Sequence, residues 1–165
     1  MTSNDLDQYP PGVQSVLQIL IENDVPYELR IFDTPARQAS QAADLLGCPL
    51  GAIVKSLVFQ KQASGELLLV LVSGKNRADT KILNQVVDEE VQPAKPKTVL
   101  DLTGYPVGAV PPIGVTGADM VVMDADLLQY EHVWASAGSD NILMKVNSQN
   151  LLIITNGLVE TLKLA

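Results

Sequence analysis

The sequence predicts an α/β fold of the mixed α+β type, in which helices surround a central, mixed and mostly antiparallel sheet. Segments with helical spacing and short apolar segments bounded by glycine or proline follow one another without a strict strand–helix–strand order. That irregular order favours a mixed sheet over a parallel one. The chain has 165 residues, of which 47% are hydrophobic, enough for one substantial core. No repeat or linker divides it, so residues 1–165 are predicted to form a single domain, with residues 1–11 as a flexible N-terminal arm.

Turn and cap residues delimit the predicted elements of the first half of the chain. Apolar residues recur at three- and four-residue intervals from Val13 to Leu20, which predicts a first helix. Thr34-Pro35 opens a second helix, because proline is favoured in a first helical turn, and Gly47 ends it. The predicted elements are a helix over 13–23, a strand over 27–32, a helix over 34–46, and a hairpin of strands 51–61 and 66–72.

The second half is predicted to combine short helices with short strands. Asp79 is the predicted N-cap of a helix over 80–87, and Ser148 that of a last helix over 151–154. Between them the prediction is a short helix over 98–102, a buried strand over 120–123, a helical turn over 124–128, and strands over 132–135 and 142–146. Elements this short fit one mixed sheet covered by helices.

Composition predicts a cytoplasmic protein without a membrane segment. The lone Cys48 cannot form an intramolecular disulfide, which is typical of a reducing compartment. No apolar run approaches the roughly 18 residues that span a bilayer, and the polar, acidic N-terminus lacks the pattern of a signal peptide. With one cysteine and one histidine, His132, a structural zinc site made by the protein alone is excluded.

The charge distribution argues against a general nucleic-acid coat, and no DNA partner is expected. The net charge is −8, whereas phosphate contacts need a surplus of lysine and arginine. Seven of the eleven basic residues nevertheless lie between Lys55 and Lys97, together with five acids. This segment predicts either a modest basic face, which would include Lys75, Arg77 and Lys81, or scattered solvated lysines.

Familiar catalytic and metal-binding motifs are missing from the sequence. It contains no P-loop, no dinucleotide-binding glycine pattern and no nucleophile elbow. His132 beside Glu131 is interpreted as a solvated or structural histidine. Asp124 and Asp126 open a short helix, and capping explains them more simply than a metal does. No metal and no cofactor are therefore predicted.

Lys55 is the one charged residue at the centre of a mostly apolar strand, Gly51–Phe59. An ammonium group is not desolvated cheaply without partners, so a lysine at such a position snorkels, forms a pair or takes part in function. By strand alternation Lys55 shares a face with Ile53 and Leu57, which favours a pocket-facing ammonium. The alternative is a lysine on an edge strand that points into solvent.

Two turns of small residues are the other candidates for a site. In the loop Thr103–Pro112, Gly108 permits a positive φ or lets a ligand approach the backbone closely. The consecutive prolines at the end of this loop stiffen it. A further turn of small residues, Ser136–Gly138, follows a predicted strand. These turns and Lys55 are candidates to line one cleft, and ordinary turns are the alternative.

Five segments follow one another in a recognisable order: Ala42–Gly47, Ile53–Phe59, Gly74–Asp79, Thr103–Pro112 and Val133–Gly138. Their content and order resemble the YbaK/ProX family, the free-standing relatives of the editing domain inserted in bacterial prolyl-tRNA synthetases. The resemblance runs from about Val13 to Leu158, nearly the whole chain. It implies the fold of that editing domain.

The resemblance also implies a trans-editing aminoacyl-tRNA deacylase. Such an enzyme hydrolyses the ester of a mischarged tRNA, here tRNA for proline carrying a small amino acid: alanine, cysteine or serine. By matching positions, Lys55 is the catalytic pocket lysine, Gly108 and Ala109 lie in the substrate-binding loop, and Ser136 and Gly138 lie in the small-residue turn. The basic residues Lys75, Arg77 and Lys81 are the candidate tRNA contacts of such an enzyme. Prolyl-tRNA synthetase is an expected partner besides the aminoacyl-tRNA, and the oligomeric state is not readable from the sequence.

Two positions depart from a cysteine-specific member of the family. Phe32, a candidate substrate-binding residue, stands where that member has tyrosine, and about Leu143 stands where it has aspartate. Both changes remove polar groups near the pocket, so cysteine specificity is not implied. They also keep open an alternative function, a non-catalytic module that binds tRNA, a nucleotide or a synthetase.

The residues and the resemblance lead to one mechanistic hypothesis. An aminoacyl ester is already activated, so an enzyme needs mainly to orient it and stabilise developing charge. Lys55 is expected to hold the 3′-terminal adenosine or the aminoacyl carbonyl. Backbone N–H groups at Gly108 and Ala109 are expected to stabilise the oxyanion. Water, with help from a ribose hydroxyl of the tRNA, or a thiol of the substrate would be the nucleophile.

Overall fold

The computed structural model describes residues 3–163, which form six α-helices, eight strands and two short 3₁₀ turns. The helices are α1 (Ser3–Leu6), α2 (Pro11–Glu22), α3 (Ala39–Leu46), α4 (Thr80–Val87), α5 (Pro96–Thr103) and α6 (Ser148–Thr155). The strands are β1 (Tyr27–Ile31), β2 (Val54–Lys61), β3 (Leu67–Ser73), β4 (Val91–Pro93), β5 (Ala118–Asp124), β6 (His132–Ser139), β7 (Ile142–Asn147) and β8 (Leu158–Glu160). The 3₁₀ turns are Leu50–Ala52 and Ala125–Gln129.

The strands form two sheets that a single bridge joins. One sheet is antiparallel, in the order β1-β7-β6, and the other has the order β4-β2-β3-β5-β8. Within the larger sheet, β2 is antiparallel to β3 and β4, whereas β3, β5 and β8 are parallel. A parallel bridge between Ile53 and Trp134 joins the start of β2 to β6. The predicted mixed α+β fold is confirmed, with the single predicted sheet divided in two.

The main core lies between the sheets and α2. Helix α2 contributes four buried residues, whose spacing predicted this helix: Val13, Val16, Leu17 and Leu20. All seven residues of β3 are buried, because both faces of this central strand are covered. Smaller apolar clusters lie under α4, around Leu83, and under α3, where Ala42 and Ala43 pack against Ile53 and Trp134.

The second helix begins five residues later than predicted. Thr34-Pro35 does not open it. Instead the side-chain oxygen of Gln41 accepts hydrogen bonds from the N–H groups of Arg37 (3.1 Å) and Gln38 (3.3 Å), and α3 starts at Ala39. The helix start is thus set by a side chain inside the helix. As a consequence, the residues before α3 form an extended segment that reaches the site described below.

Other differences concern short elements and the N-terminus. β4 and β8 were not predicted, since three residues are too few for a periodic pattern. Asn147, not Ser148, caps α6, by accepting a hydrogen bond from the N–H of Asn150 (3.0 Å). Residues 1–11 were predicted to be a flexible arm, yet residues 3–6 are helical and Leu6 is buried in the main core. The first two residues of that predicted arm lie outside the described residues.

In the described part of the chain, no helix combines the length and apolar character needed to cross a bilayer.

Candidate functional site

A cavity of about 580 Å³ opens where the two sheets diverge beyond the bridge between Ile53 and Trp134. β4 covers β2 only from Phe59 to Lys61, and the N–H of Ala94 donates to the carbonyl of Val58 (2.9 Å). Within residues 3–163, no strand pairs with residues 54–57 on that side. These four consecutive residues line the cavity, as expected of a free strand edge.

The other walls come from three segments that the fold brings to this edge. They are the segment before α3 with the first turn of that helix, the loop around Gly108, and the outer face of the smaller sheet. On that face Ser136 pairs with Leu143, and both residues line the cavity. Lys55, Gly108 and Ser136, predicted from three distant segments, therefore meet at one site.

The Lys55 ammonium is half-buried and donates a hydrogen bond to the main-chain carbonyl of Asn76. Desolvation lowers the pKa of Lys55 below its usual value, and the nearby Arg77 guanidinium lowers it further. The Asp124 carboxylate acts in the opposite direction and raises it. The site thus holds a partly desolvated ammonium group, whose charge the Asp124 carboxylate partly compensates.

A buried polar network stands behind Lys55. The side-chain amide of Asn76 donates to Oδ2 of Asp124 (2.9 Å) and to Oδ2 of Asp126 (2.8 Å). Asp124 also accepts hydrogen bonds from the N–H groups of Ser73 (3.0 Å) and Asp126 (3.0 Å). The hydrogen bond from Asn76 lowers the pKa of Asp126, helped by Lys163 and Lys75 against the effect of desolvation. Both carboxylates therefore hold the turn that presents the Asn76 carbonyl to Lys55.

Sequence reasoning found only part of this network. Asp124 does cap the following 3₁₀ turn, as predicted. Its second role, holding Asn76, was missed, because the two residues are 48 positions apart in the chain. The segment Gly74–Asp79 was recognised as a matching piece, but nothing in it singled out Asn76.

The glycine loop reaches the cavity through Gly108. Its φ is +91°, and a Cβ at this position would meet no atom within 4 Å, so glycine is required by the backbone conformation and not by crowding. The N–H of Ala109 donates to the carbonyl of Pro106 (3.0 Å), and Ala109 is buried beside the cavity without lining it. The predicted oxyanion donor Ala109 is thus already engaged, whereas Gly108 lines the cavity.

The hydroxyl of Ser136 joins the glycine loop to the small-residue turn. Its oxygen accepts a hydrogen bond from the N–H of Gly138 (3.1 Å) and lies within reach of two carbonyls, of Ala109 (3.1 Å) and Ser139 (3.2 Å). One hydroxyl proton serves one of these carbonyls at a time. Ser136 therefore couples the positions of the two loops that flank the cavity.

Gly138 and Phe32, two other predicted substrate-binding residues, do not line the cavity. A Cβ on Gly138, whose φ is +109°, would lie 2.7 Å from the carbonyl oxygen of Gly12, so this glycine allows close packing against the start of α2. Phe32 exchanges hydrogen bonds with Asn141 (2.9 and 3.0 Å), and the Arg30 guanidinium lies 5.9 Å from its ring. Both residues support the site from outside it.

The three predicted tRNA contacts, Lys75, Arg77 and Lys81, are exposed. The Lys75 ammonium lies 5.9 Å from the centre of the Tyr130 ring, and Arg77 is close enough to influence Lys55. Lys81 is the second residue of α4. A further cation, Arg37, lines the cavity itself. It was not predicted, because it lies outside the basic segment from Lys55 to Lys97.

Comparisons with known proteins establish the family and the fold. Residues 33–153 match the model of the aminoacyl-tRNA editing domain family. An uncharacterized protein of Bacillus subtilis strain 168, YwhH, is 29% identical over 130 residues, which are 79% of this chain and 80% of that protein. A crystal structure of a proposed trans-editing enzyme for prolyl-tRNA synthetase superimposes with a TM-score of 0.85 at 34% identity, covering 95% of this chain and 99% of that one.

Proline–tRNA ligases share part of their length with this chain. The ligase of Nitratidesulfovibrio vulgaris is 32% identical over 93 residues, 56% of this chain and 16% of the ligase. The ligase of Thermoanaerobacter sp. strain X514 is 27% identical over 131 residues, 78% of this chain and 22% of the ligase. The family and fold inferred from the sequence are thereby confirmed. The chain belongs to the aminoacyl-tRNA editing domain family.

Proposed function

We propose that this protein is a trans-editing deacylase that hydrolyses the ester of tRNA for proline carrying a small amino acid. The observation that carries the proposal is that Lys55 and Gly108 line the same cavity along a free strand edge. Family membership supplies the reaction class, aminoacyl-tRNA editing. The similarity to proline–tRNA ligases and to a proposed trans-editing enzyme supports the choice of tRNA.

Lys55 is suited to hold the substrate near its reacting carbonyl. An ammonium group has three N–H donors, and the carbonyl of Asn76 takes one of them. The remaining donors are available to the ester carbonyl or to the 3′-terminal adenosine, as charge-assisted hydrogen bonds. Because desolvation already weakens competition from water, such bonds contribute more here than on an open surface.

The reaction itself needs little from the protein beyond orientation. Water adds its oxygen to the ester carbon, and the N–H of Gly108 and Lys55 stabilise the negative oxygen that develops. The bond from carbon to the ribose oxygen then breaks, and that oxygen takes up a proton, which yields a free amino acid and intact tRNA. Among the described residues, no carboxylate or imidazole lines the cavity, so the neighbouring ribose hydroxyl is the assigned proton carrier.

That same composition of the walls favours a second candidate, a non-catalytic module that binds aminoacyl-tRNA or a synthetase. Without a carboxylate or an imidazole to act as general base, the described walls of this cavity can bind a substrate without hydrolysing it. The two functions differ in one observable. A binding module retains charged tRNA on a filter without shortening the lifetime of the ester, whereas a deacylase shortens it.

The decisive experiment measures deacylation of tRNA for proline charged with alanine, cysteine or serine. The purified protein is compared with Lys55→Ala and with Lys97→Ala, an exposed lysine on α5 that serves as the matched control. We expect hydrolysis of at least one ester, a loss of about 100-fold or more in Lys55→Ala, and no change in the control. Equal rates in Lys55→Ala and the wild type would contradict the role of Lys55, and filter retention without hydrolysis would support the binding module.

A further inference from the structure

Ser56 has a buried hydroxyl that no group of the protein satisfies. Among the described residues, its Oγ is the buried side-chain polar atom without a hydrogen-bond partner. Buried polar groups in native proteins are almost always paired, so an exception calls for an explanation. The oxygen has almost no accessible surface, so a ligand in the cavity reaches it only after the side chain rotates about χ1. A bond made in that way would explain the missing partner.

Ser56 lies where two cavities meet. It lines the main cavity together with Lys55, and it also lines a second cavity of about 280 Å³. Leu57, Val107 and Val110 are shared by both cavities as well. By strand alternation Ser56 and Lys55 point to opposite faces of β2, but this edge of β2 is free and residues of both faces line the main cavity.

The second cavity has the character of a side-chain pocket. Apart from Ser56, every side chain that lines it is apolar, and Phe59 and Val99 are buried. Among the side chains that line this cavity, Ser56 offers the one hydrogen-bonding group. If Lys55 holds the ester carbonyl, the amino acid side chain is the part of the substrate that extends into this second cavity.

Charge decides which substrate group meets the hydroxyl. The α-amino group of an aminoacyl ester carries positive charge at neutral pH for much of the time. Lys55 and Arg37 line the same cavity and Arg77 stands nearby, so three cations disfavour that group beside them. A neutral hydroxyl has no such conflict, and it both donates and accepts.

We propose that Ser56 is a specificity-determining residue whose Oγ hydrogen-bonds the side-chain hydroxyl of the aminoacyl group. This inference rests on the proposed function and names the substrate class within it. The protein then edits tRNA carrying a hydroxyl-bearing amino acid, serine first, in preference to alanine of nearly equal size. A site built to bond a substrate hydroxyl discriminates strongly against an analogue that lacks it, because the polar group of the site is left unpaired.

The first test compares kcat/KM for seryl- and alanyl-tRNA for proline with the wild type, Ser56→Ala and Ser56→Thr. The control is Ser64→Ala, in the exposed hairpin that joins β2 to β3. We expect the wild type to prefer the seryl ester by about tenfold or more. Ser56→Ala should lose that preference through the seryl rate alone, and Ser56→Thr should restore it. An equal loss for both esters, or an unchanged ratio, overturns the proposal.

The second test does not depend on turnover. Seryl and alanyl groups are attached through an amide to 3′-amino-3′-deoxyadenosine, and the affinities of these two stable analogues are measured by calorimetry. Tighter binding of the seryl analogue, lost in Ser56→Ala, supports the role of Ser56 even if no ester is hydrolysed, in which case the proposed deacylase fails on its own. Equal affinities of the wild type for the two analogues overturn the proposal. The midpoint of unfolding should not fall in Ser56→Ala, since the removed hydroxyl has no partner to lose.

Discussion

The side-chain amide of Asn76 donates a hydrogen bond of 2.9 Å to the buried carboxylate of Asp124, 48 residues further along the chain. The same residue receives the Lys55 ammonium on its main-chain carbonyl. One residue thus connects a buried acidic pair to the cation of the cavity. Its side chain holds the position, and its backbone presents the acceptor.

Replacing Asn76 by alanine should weaken both the fold and the site. The amide donates to two carboxylates, and a hydrogen bond to a charged group contributes about 1.5–3 kcal/mol. We expect a loss of roughly that size in the free energy of unfolding, measured with urea, and a fall of about tenfold in deacylation. The control Asn23→Ala removes an exposed side-chain bond at the end of α2 and should change neither quantity appreciably. Unchanged deacylation in Asn76→Ala would show that Lys55 does not depend on this turn.

Removing the charge of Arg77 should raise the pKa of Lys55. Desolvation and the Arg77 guanidinium both lower this pKa, while Asp124 raises it. In Arg77→Gln one of the two lowering effects disappears, so the pKa should move back toward 10.5. The measurement is the pH titration of the lysine side-chain carbon signals by NMR, with the Lys55 signal assigned from Lys55→Met. A Lys55 pKa that stays the same or falls in Arg77→Gln would contradict this account of the site.

The same shift predicts how stability depends on pH. The folded-state pKa of Lys55 lies below its unfolded value, so between the two values the unfolded chain binds more protons. The energetic cost of burying the charged ammonium is complete below the folded pKa and disappears as the pH rises toward 10.5. The free energy of unfolding of the wild type, relative to that of Lys55→Met, should therefore increase as the pH rises from the folded pKa of Lys55 toward 10.5. A difference between the two proteins that is constant from neutral pH to 10.5 would refute the shift.

Replacing Ser136 by alanine should separate the two loops beside the cavity. Ser136 accepts from the N–H of Gly138 and donates to the carbonyl of Ala109 or Ser139. We expect a loss of about 1–2 kcal/mol in the free energy of unfolding, because hydrogen bonds are lost and the Gly138 donor is left without its acceptor. Deacylation should fall by about tenfold or more, since Gly108 lies on the uncoupled loop. Ser64→Ala is the control. Equal deacylation rates in Ser136→Ala and Ser64→Ala would show that Ser136 does not couple the two loops.

Alanine at Gly138 and at Gly108 should have different consequences. Both glycines have positive φ, which costs a residue with a Cβ of the order of 1–3 kcal/mol. Only at Gly138 would the new Cβ also meet backbone, 2.7 Å from the oxygen of Gly12, which adds about 1–3 kcal/mol. Thermal unfolding should therefore show Gly138→Ala as the less stable protein, while Gly108→Ala should mainly reduce deacylation. Equal stabilities of the two variants would contradict the crowding at Gly138.

Strong local signals explain which parts of the site were predicted from the sequence. Lys55 stood out as a single charge in an apolar strand, and Gly108 as a glycine in a stiff loop, and both line the cavity. Ser136 was found through the resemblance and a small-residue turn. These signals reside within a few consecutive residues and do not depend on knowing the fold.

The missed residues depend on tertiary arrangement. Strand alternation puts Ser56 on the face opposite Lys55. However, β4 leaves the edge of β2 free there, and residues of both faces line the cavity. β4 has only three residues, too few to be predicted. Arg37 reaches the cavity because α3 begins at Ala39 and leaves it in an extended segment. Neither consequence follows from residue patterns along the chain.

Reversing the charge of Lys81 should weaken the use of tRNA without altering chemistry at the ester. Lys81 is exposed at the second position of α4, four residues after Arg77 in the chain. If Lys81 contacts a phosphate, Lys81→Glu should raise KM while kcat changes little. The slope of log KM against the logarithm of the salt concentration should fall by about one, the contribution of one phosphate contact. Lys97 is equally placed at the second position of α5, so Lys97→Glu is a control for both charge and helix position. If the two variants show the same kinetics at every salt concentration, tRNA does not contact α4, and Arg37 and Lys55 inside the cavity become the main phosphate contacts to test.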